Sequence, residues 1–111
     1  MYVNRSRDSG NTWTRQEPSA LSGVSPYLLR HSSGVILLGS RSPGGLCVRT
    51  SCDDGKSWSR ETRIDPCPGM MGMVETRDGR VLIVFHEAYR TPTRIRAKYL
   101  LVDPDGIVAP G

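Results

Sequence analysis

Ser6-Arg-Asp-Ser-Gly-Asn-Thr-Trp-Thr14 and Ser51-Cys-Asp-Asp-Gly-Lys-Ser-Trp-Ser59 are two copies of one pattern, S-x-D-x-G-x-[TS]-W. Asp8 and Asp53 stand 45 residues apart (53 − 8), and so do Trp13 and Trp58 (58 − 13). A second pair of segments keeps that register, because Gly34-Val-Ile-Leu-Leu38 matches Gly79-Arg-Val-Leu-Ile83 at the same spacing. Two separate features in one register mark an internal repeat rather than coincidence.

Each fixed position of the pattern has a mechanical reason. The carboxylate of Asp8 or Asp53 can accept hydrogen bonds from backbone N–H groups a few residues on, which ties a hairpin loop to itself. Gly10 and Gly55 supply the positive φ that such a loop needs. The hydroxyls of Ser6, Thr12, Ser51 and Ser57 can close further local bonds, and Trp13 and Trp58 are expected to bury their rings against the sheet and anchor the turn. Calcium ligation by these D-x-G loops lacks the oxygen-rich spacing of an EF-hand.

A period of 40 to 50 residues with four short strands per unit is the mark of a β-propeller blade. Alternation and turn residues place strands at 2–5, 13–16, 26–30, 35–39, 46–50, 58–64, 73–76, 80–86 and 95–102. The expected fold is all-β: a propeller fragment of about two and a half four-stranded antiparallel blades. Residues 1–17 end one blade and carry the first box, 24–64 form a complete blade with the second, and 70–111 form most of a third that lacks a full fourth strand. So few blades cannot close a ring, which predicts self-association or completion by missing blades.

The two boxes resemble those of the sialidase (neuraminidase) superfamily and its Asp-box, or BNR-repeat, relatives, and the resemblance covers nearly the whole chain. It implies a carbohydrate-active propeller whose boxes lie on the rim, away from a substrate face at the other end of the strands. It also allows a non-catalytic propeller used as an interaction scaffold, since Asp boxes recur in sorting receptors and photosystem assembly factors. The face opposite the boxes is expected to hold Arg41, His86, Glu87, Tyr89, Arg90 and Arg94 as candidate ligand-binding residues, with a glycan or other anionic small molecule as ligand. Sialidases clamp the sugar carboxylate with three arginines and attack with a tyrosine activated by a glutamate. Arg41 stands where the family places one clamp arginine, seven residues after the hairpin glycine Gly34. Ser25 stands where its glutamate would be, and Val24-Ser25-Pro26 stands where R-I-P would be. No catalytic residue is assigned, and hydrolysis is expected of a complete parent rather than of these 111 residues alone.

Composition narrows the remaining classes. The 12 glycines and 8 prolines are spread along the chain, which suits short strands and tight turns better than helices. The longest apolar runs, Val35 to Leu38 and Val81 to Phe85, fall far below the roughly 20 residues of a membrane-spanning helix. Met1 is not followed by the apolar run of a secretory leader. Cys47, Cys52 and Cys67 form no C-x-x-C pair and are expected as free, buried or half-buried thiols, with no metal and no cofactor. The net charge of +4 favours anionic ligands, but the basic residues are scattered among acidic ones, which argues against nucleic acid.

Overall fold

The structure, a computed structural model that describes residues 1–111, is all-β, with ten strands in three antiparallel sheets. Strands β1 (Tyr2–Val3) and β2 (Glu17–Pro18) pair alone. Strands β3 (Val24–Arg30), β4 (Ile36–Ser42), β5 (Gly45–Ser51) and β6 (Thr62–Asp65) form a central four-stranded sheet in that order. Strands β7 (Met71–Glu75), β8 (Val81–His86), β9 (Ile95–Val102) and β10 (Val108–Pro110) form the last.

One turn chemistry recurs in the hairpins. Gly34, Gly79 and Gly106 have φ of 92°, 78° and 83°, and each donates its N–H to the carbonyl three residues back, on His31, Thr76 and Asp103. A turn that ends on a left-handed residue matches the twist of the flanking strands, and glycine adopts that conformation without steric cost. Gly45, which opens β5 at φ 112°, is glycine for a second reason as well. A Cβ there would lie 2.2 Å from the Asp65 carbonyl oxygen.

The central and last sheets pack face to face. Leu37, Leu46 and Val48 from one meet Met71, Met73, Val81, Ile83 and Phe85 from the other in a single core. The alternation of β8 decides which side is which, since Val81, Ile83 and Phe85 are buried and Val84 is exposed. Along β5 the central sheet is covered on its other face as well. Leu38 and Arg49 point there, and Arg49 binds the Ser22 carbonyl at 3.1 Å beyond β2. Every residue of β5 is therefore buried.

Several expectations are corrected. No strand forms over 13–16 or 58–61, because Thr14 and Ser59 interrupt the ladder after each box. Their hydroxyls accept from the Arg5 and Thr50 N–H groups at 2.9 Å, where a strand would offer a carbonyl. Beyond the Gly106 turn the third unit carries a short strand that the sequence did not indicate, β10, three residues long. Trp13 is 61% exposed instead of buried, because its box projects from a two-stranded sheet with no neighbour to cover the ring. Trp58, with β1 beside it, is half-buried. Among the free thiols Cys47 is buried and Cys67 half-buried as expected, but Cys52 is exposed in the second box. Burial pushes the Cys47 thiol up.

Candidate functional site

The antiparallel strands sort the connections into two ends of the molecule. At one end lie both box loops and the turns at Gly34, Gly79 and Gly106. At the other lie the Pro43-Gly44 turn, the 66–70 crossover and the 87–94 loop.

The box end is closed by its own hydrogen bonds. In the first box the Thr12 N–H and hydroxyl donate to the two Asp8 carboxylate oxygens at 2.8 and 2.6 Å, and Ser6 Oγ donates to Oδ1 while accepting from the Gly10 N–H. The second box repeats this bond for bond with Ser57, Asp53, Ser51 and Gly55. The side-chain and backbone bonds from Thr12 and Ser57, then those from Ser6 and Ser51, hold both carboxyl groups down to about 2. Each indole lies over its glycine, with Cζ2 within 3.7 Å of where a Cβ would stand. Ser9 and Asp54, at φ 58° and 59°, complete the left-handed part of each loop. With every carboxylate oxygen engaged, the boxes are local structural fasteners.

Further bonds at this end run between sheets. Arg5 reaches the Gly55 carbonyl at 3.0 Å, Thr50 donates to the Gly106 carbonyl at 2.6 Å, and buried His31 sets Nε2 2.8 Å from the Gly79 carbonyl oxygen. Ser33 donates its N–H to His31 Nδ1, so Nδ1 is the acceptor and Nε2 carries the proton. Glu75, 3.3 Å from His31 Nε2, accepts from the Ser32 hydroxyl and N–H, and the hydroxyl bond is the main cause that lowers its pKa.

The other end is open. A cleft of about 590 Å³ lies there, lined by Ser22, Gly23, Val24, Arg41, Ser42, Pro43, Pro68 and Tyr89. Arg41 sits near the end of β4, half-buried, and donates one hydrogen bond, from Nη1 to the Pro68 carbonyl at 3.3 Å. Tyr89 is 91% exposed, and its φ of 60° is a left-handed conformation that side chains rarely adopt. The 87–94 loop that carries it replaces the two-residue Pro43-Gly44 turn of the preceding sheet, and its ends are closed by the Glu87 N–H on the Arg94 carbonyl at 2.9 Å. A guanidinium and an exposed aromatic ring that line one cleft offer a carboxylate partner and a flat apolar platform.

Of the residues expected at this end, Arg41 and Tyr89 come together in one cleft. The others do not line it. Glu87 is held by Arg96 at 3.3 Å and by Arg90 at 3.4 Å, and Arg94 is exposed. The contact of Arg90 Nε with Glu87 Oε2 lacks hydrogen-bond geometry, which leaves that buried oxygen as an ion-pair partner only. His86 is half-buried at the end of β8, where its carbonyl accepts from the Cys67 thiol at 3.6 Å.

A charged cluster here was missed in the sequence. Asp65, 2% exposed, forms ion pairs with Lys98 at 2.8 Å and Arg96 at 3.1 Å, and accepts hydrogen bonds from Arg96 Nη1 at 3.2 Å and the Cys67 N–H at 2.9 Å. Burial pushes its carboxyl up, but the Lys98 bond, the Cys67 N–H and the charges of Lys98 and Arg96 together outweigh burial, and the result is lowered. Its signal in the sequence is the Arg96-x-Lys98 alternation, which puts two cations on one face of β9.

No family model matches the chain, and no curated protein matches it. Among solved structures it is similar to a protein of unknown function from Dyadobacter fermentans DSM 18053, with a TM-score of 0.63 and 24% identity over 92% of this chain. The chain spans 40% of the length of that protein, and the likeness is one of fold.

Proposed function

We propose that the chain is a segment of a sialidase-like, Asp-box β-propeller, and that the open end of its strands recognises an anionic glycan. Two four-stranded antiparallel sheets stacked face to face, in a 45-residue repeat with matching box loops, support the propeller reading. The observation that carries the ligand reading is Arg41, placed with Tyr89 in a cleft at the end opposite both boxes. A carboxylate-bearing sugar would set its carboxylate on the Arg41 guanidinium and lay its ring against the tyrosine. Glycan hydrolysis by a complete parent protein belongs to this reading as its catalytic form.

The alternative is a propeller that binds without catalysis and serves as an interaction scaffold. The engagement of Glu87 by two arginines favours it, because a tyrosine nucleophile needs a neighbouring carboxylate free to take its proton.

Calorimetric titration with N-acetylneuraminate and, separately, with galactose tests the ligand reading. Weak saturable binding of the acid, absent for the neutral sugar and lost in Arg41→Ala, is the expected outcome. Equal responses to both sugars, or binding unchanged by Arg41→Ala, would remove Arg41 from the site. A fluorogenic sialoside separates the two forms of the reading, and turnover abolished by Arg41→Ala would restore catalysis to this chain.

A further inference from the structure

One surface departs from its repeat: the face of the central sheet that looks toward β1 and β2. Pro26, Leu28, Ile36 and Leu38 line an apolar groove of about 290 Å³ there, with Tyr2 and Trp58 on its other walls. Leu28 is 63% exposed. Each of the four has a counterpart 45 residues later in the last sheet: Met71, Met73, Val81 and Ile83. All four counterparts are buried, because the β3–β4 hairpin lies on them through Leu29, Leu37 and Gly39. The groove is thus the same sheet face one repeat earlier, covered over Leu38 but left open over Pro26 and Leu28.

The same register says what shape is missing. Tyr2 pairs with Pro18 as Cys47 pairs with Arg63, so β1 and β2 are the counterparts of β5 and β6. In the central sheet β5 is also bonded along its other edge by β4, over seven residue pairs. In the first sheet the matching edge of β1 has no strand. A whole second copy placed as the central sheet sits on the last would lay its own β5 and β6 over β1 and β2. The vacancy is therefore the size of a hairpin and not of a sheet.

We infer that this groove is a docking site for a two-stranded β-hairpin of the same repeat, added to the edge of β1 with an alternating apolar face on Pro26, Leu28, Ile36 and Leu38. Edge pairing would supply the main-chain bonds and the groove the side-chain fit. The inference rests on the repeat register and not on Arg41, so each can fail without the other.

A synthetic peptide of residues 23–43, the hairpin already seen to occupy the equivalent position, is the probe. In the Trp13→Phe protein Trp58 is the sole indole and reports on the groove. Saturable blue-shifted emission is expected, lost when the peptide carries Leu37→Asp and weakened at least about tenfold by Leu28→Asp in the protein. Because an isolated hairpin is marginally stable, residues 23–45 are also copied directly ahead of Met1, which reproduces the spacing of the repeat. That chain is expected to melt higher than its own Leu37→Asp control. No saturable signal from the peptide together with no rise in melting temperature from the fused copy would overturn the inference. So would a dimer of the unmodified chain that Leu28→Asp dissociates, since the occupant would then be a second copy.

Discussion

The two ends of the strands are built on opposite plans. At the box end each loop is tied by its own hydrogen bonds, the two boxes share the same carboxylate bonds, and Arg5, His31 and Thr50 stitch neighbouring sheets together. At the other end the two hairpins differ, a two-residue turn against an eight-residue loop, and a cleft stays open around Arg41 and Tyr89. Repetition marks the end that holds the fold, and departure from the repeat marks the end free to specialise. Substitutions at the first should cost stability, and substitutions at the second should cost binding.

The largest effect belongs to the scaffold that joins the ends. Leu37 is fully buried between the sheets, and Leu82, its counterpart 45 residues on, is half-buried on the outer face. Leu37→Ala should destabilise by ~2–5 kcal/mol and Leu82→Ala by about 1 kcal/mol in urea unfolding. Equal costs would mean that the last sheet is covered on both faces, as β5 of the central sheet is.

Next comes the box end. Asp53→Ala should lower the melting temperature more than Asp8→Ala. The second box closes a four-stranded sheet and receives Arg5, whereas the first hangs on two short strands. Removing either carboxylate strips acceptors from one N–H and two hydroxyls. Identical melting of both variants and the parent would show that the loops hold without their carboxylates.

A smaller, pH-linked effect follows from the same groups. Both carboxyls are lowered in the folded state from an ordinary 3.8 to about 2. Their contribution is therefore present above pH 4 and lost as the pH falls through 2. Asp65, Glu61, Glu75 and Asp78 are lowered too and add to the loss in the same direction. The double variant Asp8→Ala/Asp53→Ala should show a shallower decline of melting temperature between pH 4 and pH 2. A decline as steep as that of the parent would place the acid sensitivity elsewhere.

The smallest stability effect is expected at the open end. Arg41→Ala removes one 3.3 Å bond to a carbonyl, so its stability should stay within about 0.5 kcal/mol of the parent while ligand binding is lost. A large drop in stability would make Arg41 a strut between β4 and the 66–70 crossover.

What could be read from the sequence was what short-range bonding dictates. The box loops, the Gly34 and Gly79 turns and the span of β9 follow from residues within a few positions of one another. Arg41 and Tyr89 share a cleft although 48 residues separate them, and only sheet stacking brings them together. Separation along the chain likewise hid the Asp65, Arg96 and Lys98 cluster, which joins β6 to β9 across two sheets. Trp13 and Trp58 close the same box pattern, yet one ring is exposed and the other half-buried, because cover comes from neighbours and not from the motif.

The contrast between the ends is tested most directly by mapping amide shifts of the labelled chain during titration with N-acetylneuraminate. The account predicts saturable shifts at Gly23, Arg41, Ser42 and Tyr89, with the Gly10 and Gly55 amides inside the boxes unmoved. Shifts centred on Gly10 and Gly55, with Arg41 and Tyr89 silent, would contradict it by placing the ligand at the end assigned to structure.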